Sequence, residues 1–404
     1  MEITISNFKS LVDVSFSPGT VNVFIGSNGS GKSAILEALG VLSSAISERV
    51  DDSILYGKGV RLGTPSLYKS SFKDLERLPL TIEFEVNWTN NNDNWQYKVN
   101  LSNPIDNPKP SWEYHSEILK RNTRKIFGRS RATKYVLENF PEIEIDAYKG
   151  LLSFLQGIKS RNDIGYARDL YDLFKDYAIY TPNTTTLRGI QSDPFQREPV
   201  GLLGGRLSEA VEELLNFNED VFGTIDLDDL LDLLNWVGSL HVGKTSKDII
   251  SPNVPVTSKI IRFTDRFMKE KRNELSAYDA SEGSLYVLFL LALVMHRESP
   301  RMFAIDNFDQ ALNPRLARKV TTVFCEQAIL HNRVCFLTTH NPLVLDGLDL
   351  KNDRIRLFSV DRNSKGHTQV NRVLLTDELL QKGKEGHSLS RLWIMGWLGG
   401  VPNI

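Results

Sequence analysis

The sequence has little cysteine, no long apolar run and almost no net charge. Its two cysteines, Cys325 and Cys335, both lie in apolar stretches, which argues against a disulfide framework or a cysteine-based metal site and favours a reducing compartment. The longest apolar stretch, residues 285–295, is too short to span a bilayer. The first residues also lack the pattern of a secretion signal. We therefore expect a cytoplasmic protein that does not contact membranes.

A formal net charge of −2 on 404 residues argues against non-specific nucleic-acid binding by the whole surface, although a local basic patch is compatible with it. The length exceeds what one compact core usually holds. Strand-like alternation occurs in residues 1–25 and 80–102, helical patterns with proline breaks follow, and strands alternate with helices from about residue 256. We predict an α/β protein with two lobes, 1–105 and 256–404, around a helical insertion, 106–255.

A short apolar run, residues 21–25, leads into a glycine-rich loop and then into helical apolar spacing. The loop matches the phosphate-binding pattern G-x-x-x-x-G-K-[ST] at every fixed position. Its backbone N–H groups and the N-terminus of the following helix would bind ATP phosphates, Lys32 would reach the β- and γ-phosphates, and Ser33 would ligate Mg²⁺. The predicted nucleotide-binding residues are Gly26, Ser27, Asn28, Gly29, Ser30, Gly31, Lys32 and Ser33.

Three later features accompany this loop. Ser281 and Gly283 precede a strongly apolar helix, and they form a second helix N-terminus that could bind an anion. The same residues also fit a simple helix cap. A short strand ends at Asp306, which would hold Mg²⁺ opposite Ser33, or else cap a helix. His340 follows the strand at residues 334–337 and is either a phosphate sensor or a structural histidine.

The order of these features resembles the ABC-type ATPases of the SMC, RecF and OLD group, over roughly residues 1–90 and 256–350. The opening Asn7-Phe8-Lys9 also resembles that group. The resemblance implies an ABC-type P-loop ATPase head with a mixed or parallel sheet. It also implies that Ser281 and Gly283 contact the γ-phosphate bound by a second subunit, and that His340 hydrogen-bonds the γ-phosphate. Two copies, or a higher oligomer, would then enclose the nucleotides.

One position departs from the family pattern. Relatives usually carry a glutamate after the aspartate that ends this strand, and here the residue is Asn307. An amide can hold a water molecule but cannot take its proton. Asp309 lies two residues later, on the same face of an ideal strand, and is the alternative base. The predicted catalytic residues are thus Lys32, Asp306, Asn307, Asp309 and His340, and we expect hydrolysis to be slow.

Within the group, the chain most resembles stand-alone ATPase subunits of bacterial anti-phage defence systems of the PtuA type. No acidic cluster of the Toprim kind follows His340, so we expect a separate effector protein, often a nuclease in that family. We predict an ATP-binding, slowly hydrolysing ATPase that controls this effector. The alternatives are a RecF-like DNA-repair ATPase and a non-hydrolysing scaffold gated by ATP.

Two further segments predict partner contacts. A run of cations without an acid favours binding to nucleic-acid phosphates, or else forms a solvated helix face or pairs with the acidic residues 226–232. Near the C-terminus, Trp393 and Trp397 either pack as core or form an interface with another subunit. The cations are Lys120, Arg121, Arg124, Lys125, Arg129, Arg131 and Lys134.

Overall fold

The computed structural model describes residues 1–90, 92–130, 133–136, 146–156, 165–216, 220–245, 249–251, 253–255, 257 and 259–400, and for residues 133–136, 155, 156, 165 and 166 it describes the backbone only. The strands are β1 Glu2–Phe8, β2 Leu11–Phe16, β3 Val21–Ile25, β4 Thr81–Asn90, β5 Asp93–Ser102, β6 Glu113–Arg121, β7 Arg124–Ser130, β8 Thr133–Val136, β9 Ile179–Tyr180, β10 Val221–Phe222, β11 Ile225–Asp226, β12 Val237–Lys244, β13 Lys259–Asp265, β14 Glu274–Ser276, β15 Met302–Ile305, β16 Val334–Thr338, β17 Ile355–Arg362 and β18 Thr368–Val373. The helices are α1 Lys32–Ser47, α2 Asp52–Gly57, α3 Pro65–Tyr68, α4 Leu151–Gln156, α5 Gly165–Phe174, α6 Thr184–Leu187, α7 Leu207–Leu215, α8 Leu227–Leu234, α9 Glu282–Met295, α10 Pro314–Leu330, α11 Pro342–Leu345, α12 Asp377–Lys384 and α13 Leu389–Ile394.

A six-stranded sheet in the order β18-β17-β3-β16-β15-β9 forms the centre of the molecule. Strands β17, β3, β16, β15 and β9 are parallel to their neighbours, and β18 adds an antiparallel edge. Because parallel strands end at the same edge of a sheet, β3, β15 and β16 deliver three loops to one place. Those loops begin at Gly26, Asp306 and Thr339, so the predicted α/β core with a mixed sheet is confirmed.

Both faces of this sheet are covered. In β3, Val23 and Ile25 face one hydrophobic core together with α9, whereas Phe24 faces the other core together with α1. This follows the period-two alternation of a strand. Every α9 residue from Ser284 to Met295 is buried, which is why that helix lacks a polar stripe.

A second, antiparallel sheet runs β2-β1-β4-β5-β6-β7-β8 and corrects one prediction. Residues 113–121, 124–130 and 133–136, expected to be helical, form three of its strands. Bulges between Asn100 and Leu101 and between Leu119 and Lys120 interrupt the alternation, so the strand period is obscured in the sequence.

The rest of the region between the lobes is also mixed. It contributes α4 to α8 and the strands β10, β11 and β12, and its strand β9 joins the central sheet beside β15. Strands β12, β13 and β14 form a small antiparallel sheet. The division of the chain at residues 105 and 255 stays a prediction.

Candidate nucleotide-binding site

The glycine-rich loop follows β3 and packs against β17 and β18. Gly26 and Gly31 have φ values of 158° and 119°. A Cβ atom would lie 2.2 Å from the carbonyl oxygen of Val360 at the first position and 2.3 Å from Oγ1 of Thr368 at the second. Only glycine satisfies both the dihedral and the space, so the fold itself requires the glycines of the predicted motif.

Lys32 begins α1 and is only 6% exposed. Its Nζ donates hydrogen bonds to the carbonyl oxygens of Gly26 at 2.8 Å and Ser27 at 3.0 Å. Burial lowers the pKa of Lys32 to about 8, and nearby Asp306 opposes that shift. The ammonium group is therefore held within the loop by neutral partners that a phosphate can replace.

Asp306 follows β15 and accepts two hydrogen bonds. Its Oδ2 accepts from Ser33 Oγ at 2.9 Å, and its Oδ1 accepts from Thr338 Oγ1 at 2.5 Å. A hydroxyl and a carboxylate in contact suit Mg²⁺, which binds few protein oxygens and keeps waters and substrate phosphates as its other ligands. Among the described residues, no group of three or more His, Cys, Asp or Glu side chains could form an all-protein metal site.

Asn307 lies in a turn and is not part of a strand. Its φ is 59°, its N–H donates to Thr338 Oγ1 at 2.9 Å, and its carbonyl oxygen accepts from the Tyr286 hydroxyl at 3.0 Å. The backbone of this position is thus fixed from both sides, by β16 and by α9.

The geometric argument for Asp309 is wrong, because β15 ends at Ile305 and the chain turns before Asp309. The Asp309 carboxylate accepts hydrogen bonds from Thr339 Oγ1 at 2.6 Å and from the His340 N–H at 3.4 Å. Asp309 therefore stabilises the loop that carries His340. It does not line the cavity beside Asn307.

A cavity of about 430 Å³ is lined by Lys32, Ser33, Asp306 and Asn307 together. Asp306 is its only carboxylate among the described lining residues. The lining residues are Lys9, Ser10, Asn28, Gly29, Gly31, Lys32, Ser33, Ala34, Arg61, Asp306, Asn307, His340 and Arg362.

His340 contributes an imidazole to this cavity. Burial lowers the pKa of His340, as does the positive charge of Lys32, while Asp309 and Asp306 act in the opposite direction. At neutral pH the ring is therefore uncharged and can accept a hydrogen bond through one nitrogen and donate through the other.

Three cations of the cavity were missed as site residues by sequence reasoning. Lys9 and Arg61 both pair with Glu37, a buried residue of α1, and the Arg61 Nε to Glu37 Oε1 distance is 2.5 Å. The hydrogen bond to Glu37 raises the pKa of Arg61. Arg362 donates from Nε to the carbonyl oxygen of Gly29 at 2.7 Å. Lys9 belongs to the Asn-Phe-Lys motif, but no sequence signal marks Arg61 or Arg362.

The turn at Ser281 lies in a second cavity, of about 620 Å³, which also exposes the start of α10. Ser281 is the N-cap of α9, and its Oγ accepts from the Ser284 N–H at 3.1 Å. Gly283, Arg315 and Lys319 line the same cavity. Within one chain the turn is a helix cap, and contact with a second subunit stays a prediction.

The basic segment differs from its prediction. Arg129 is buried and donates from Nη2 to Glu117 Oε2 at 3.0 Å, so its assignment as a nucleic-acid contact is wrong. Arg121 is 2.5 Å from Asp93. Lys120, Arg124 and Lys125 lie on β6 and β7, Arg131 lies outside the described residues, and of Lys134 only the backbone, in β8, is described.

The two C-terminal tryptophans occupy different environments. Trp393 is 6% exposed and packs into the core that contains α9, whereas Trp397 is 44% exposed. Beyond them, the Gly400 N–H donates to Asp361 Oδ2 at 3.0 Å, and a Cβ atom on Gly400 would lie 3.1 Å from Cα of Gly26, so the tail lies beside the glycine-rich loop.

Comparison with known proteins decides the family. A family model described as "AAA domain, putative AbiEii toxin, Type IV TA system" matches residues 21–346. The chain belongs to this family. It is also 34% identical to the DNA replication and repair protein RecF of Renibacterium salmoninarum (strain ATCC 33209 / DSM 20767 / JCM 11484 / NBRC 15589 / NCIMB 2235) over 108 residues, which are 26% of this chain and 25% of that relative. The match thus spans a quarter of the relative's length.

The fold has a solved counterpart. The crystal structure of an SMC head bound to the C-winged helix domain of ScpA covers 94% of this chain and 98% of that one, with a TM-score of 0.52 and 15% identity. These comparisons support the predicted resemblance to the SMC/RecF group of ABC-type ATPases. Among the described helices, none combines the length and apolarity needed to cross a membrane.

Proposed function

We propose that this ATPase-family chain binds Mg²⁺ and ATP at the glycine-rich loop and hydrolyses ATP slowly. Two copies would enclose two nucleotides, and a separate effector would respond to the closed state. One observation supports this most: Lys32, Ser33, Asp306 and His340 line a single cavity in which Asp306 is the only described carboxylate.

Each residue has a distinct task in this proposal. Lys32 would replace its hydrogen bonds to loop carbonyl oxygens with hydrogen bonds to phosphate oxygens. Ser33 and Asp306 would hold Mg²⁺, which supplies charge neutralisation when bound. The Asn307 amide can orient water without accepting its proton. The His340 ring would donate a hydrogen bond to the γ-phosphate. Without a carboxylate base, we expect binding to be efficient and proton removal to be inefficient.

The second cavity supports the dimer. It combines the N-termini of α9 and α10 with Arg315 and Lys319. Helix N-termini and cations both favour a negatively charged ligand. A two-fold arrangement of two copies would place this cavity over the nucleotide on the other copy.

Two measurements test the core proposal. Binding of a fluorescent ATP analogue should saturate at one nucleotide per chain, and steady-state phosphate release should stay below about one per second, under the ordinary enzyme range. Absence of nucleotide binding would refute the proposal as a whole. Turnover far above that rate would refute slow hydrolysis alone.

A partner effector, expected to be a nuclease acting in anti-phage defence, is the finer part of the proposal. Support comes from an exposed apolar group at the C-terminal tail: Ile394, Met395 and Trp397 are 67%, 53% and 44% exposed. Large exposed apolar side chains of this kind are enriched at protein interfaces. Co-purification with the product of the adjacent gene should be lost in an Ile394→Ser, Trp397→Ala variant that still binds ATP.

DNA binding is a second candidate function, favoured by the RecF match and by the loop after β13. Residues 266–272 of that loop are all exposed, and four of the seven are cations: Arg266, Lys269, Lys271 and Arg272. Binding of duplex DNA by the chain alone, with an affinity that falls steeply as salt rises, would favour this function.

Nucleotide-dependent assembly without phosphate release would favour a non-hydrolysing scaffold instead.

A further inference from the structure

We infer that Trp236 is a positioning residue that keeps the hydroxyl proton of Ser281 available to a phosphate. The inference deepens the proposed dimer and rests on it. Trp236 lies between α8 and β12, inside the region that the family resemblance did not cover, and it lines the second cavity beside Ser281 and Ser284.

Three side chains form a continuous hydrogen-bonded series. Trp236 Nε1 donates to Ser284 Oγ at 2.9 Å, and Ser284 Oγ lies 2.8 Å from Ser281 Oγ. Ser284 is buried, whereas Ser281 is exposed to the cavity. The series therefore runs from an indole to the one hydroxyl of the turn that a second copy's nucleotide can reach.

The chemistry of the indole favours one direction in this series, because its N–H occupies one of the two acceptor sites of Ser284 Oγ. An indole N–H can donate but cannot accept, so Ser284 Oγ must act as acceptor toward Trp236. The Ser284 proton is then available for Ser281 Oγ, which also accepts the Ser284 backbone N–H. When Ser284 donates, Ser281 accepts two hydrogen bonds and its own proton points outward. Without the indole N–H, both acceptor sites of Ser284 Oγ are free, so donation from Ser281 to Ser284 becomes more favourable than in the wild type.

The position of the indole is itself well determined. The Trp236 ring packs on Phe263 with a centroid distance of 5.5 Å. The backbone carbonyl oxygen of Trp236 accepts a hydrogen bond from the Arg266 N–H at 3.0 Å. Asn235, just before it, has a φ of 59°, which asparagine tolerates better than most residues. The small sheet of β12, β13 and β14 thus orients Trp236 toward the turn.

The test is Trp236→Phe, which keeps a ring on Phe263 and removes only the N–H donor. With a non-hydrolysable ATP analogue, analytical ultracentrifugation should show a dimer about fivefold weaker than wild type, the effect of about one neutral hydrogen bond. Binding of the same analogue to the monomer should change less than twofold. Trp393→Phe is the matched control, since its buried indole N–H has no hydrogen-bond partner among the described residues, and it should leave the dimer unchanged.

Ser284→Ala distinguishes positioning from packing. Once Ser284 Oγ is gone, Ser281 has no competing acceptor, so the double variant Trp236→Phe, Ser284→Ala should dimerise as Ser284→Ala does. Equal dimerisation of wild type and Trp236→Phe, or a full additional loss in the double variant, would overturn the inference. If the wild type forms no nucleotide-dependent dimer, the proposed function fails and this inference fails with it. Should Trp236→Phe not fold, Trp236→Met serves as the donor-free variant.

Discussion

The nucleotide cavity and the basic strands β6 and β7 both concentrate cations, but they use them differently. In the cavity, Lys9 and Arg61 share the single carboxylate of Glu37, and Lys32 donates only to carbonyl oxygens. In the strands, Arg121 pairs with Asp93 and Arg129 pairs with Glu117. Two cations share one carboxylate at the first site, whereas each of the two arginines in the strands has a carboxylate of its own. A count of charges along a sequence therefore says less about anion binding than the pairing that the fold imposes.

The largest effect should come from breaking the buried pair of the strands. Arg129→Ala would leave Glu117, which is fully buried, without its cation. Removing one partner of a buried ion pair usually costs about 3–5 kcal/mol, and we expect that loss in urea unfolding. Lys125→Ala, an exposed change on the same strand, should cost less than about 0.5 kcal/mol. Equal stabilities would show that the Arg129 pair is not structural.

The next effect tests Lys32, a cavity cation that donates to loop carbonyl oxygens. Lys32→Ala should weaken ATP binding about 100-fold, or about 2.7 kcal/mol, because a charged donor to the phosphates is lost. Fluorescence titration measures the change, and circular dichroism should show an intact fold. Lys125→Ala serves again as the control and should alter affinity less than twofold. A similar loss in both variants would mean that overall charge, and not the cavity, governs binding.

A third change supplies the missing base. Asn307→Glu should raise phosphate release about 30-fold over Asn307→Gln, which matches its size but cannot take a proton. A positioned base usually contributes about 10²–10⁴, and the left-handed backbone of this position, with φ 59°, suits Glu less well than Asn. Equal rates for the Glu and Gln variants would show that proton removal does not limit turnover.

Local sequence predicted the centre of the site but not its surroundings. Residues 26–33 are consecutive, and the strand before them and helix after them leave little choice of structure. Lys9, Arg61 and Arg362 meet that loop only because β1, the segment after α2 and β17 converge in the fold. Their positions depend on tertiary packing, which no local pattern encodes.

The same limit explains the three errors. Arg129 faces the interior, so its charge alone led to the wrong assignment as a nucleic-acid contact. The bulges in β5 and β6 obscured the strand period of residues that were expected to be helical. Asp309 was assigned by extending a strand that in fact ends at Ile305. Hydrophobic periodicity detects regular elements, and it fails where buried ion pairs or turns replace them.

The smallest predicted effect is the pH dependence of ATP binding. The pKa of Lys32 is about 8 in the free protein, and bound phosphates would raise it, so binding above pH 8 must take up a proton. Affinity should therefore fall about tenfold between pH 7 and pH 9. Calorimetry in two buffers of different ionisation enthalpy should report an uptake of about half a proton at pH 8.

Lys32→Arg is the matched control for this dependence. A guanidinium stays charged throughout this pH range, so affinity of that variant, whatever its absolute value, should not vary with pH. A wild-type affinity that is flat from pH 7 to pH 9 would mean that Lys32 is already fully charged in the free cavity. Lys32 would then differ from the paired cations of the basic strands only in its hydrogen-bond partners, and not in its pKa.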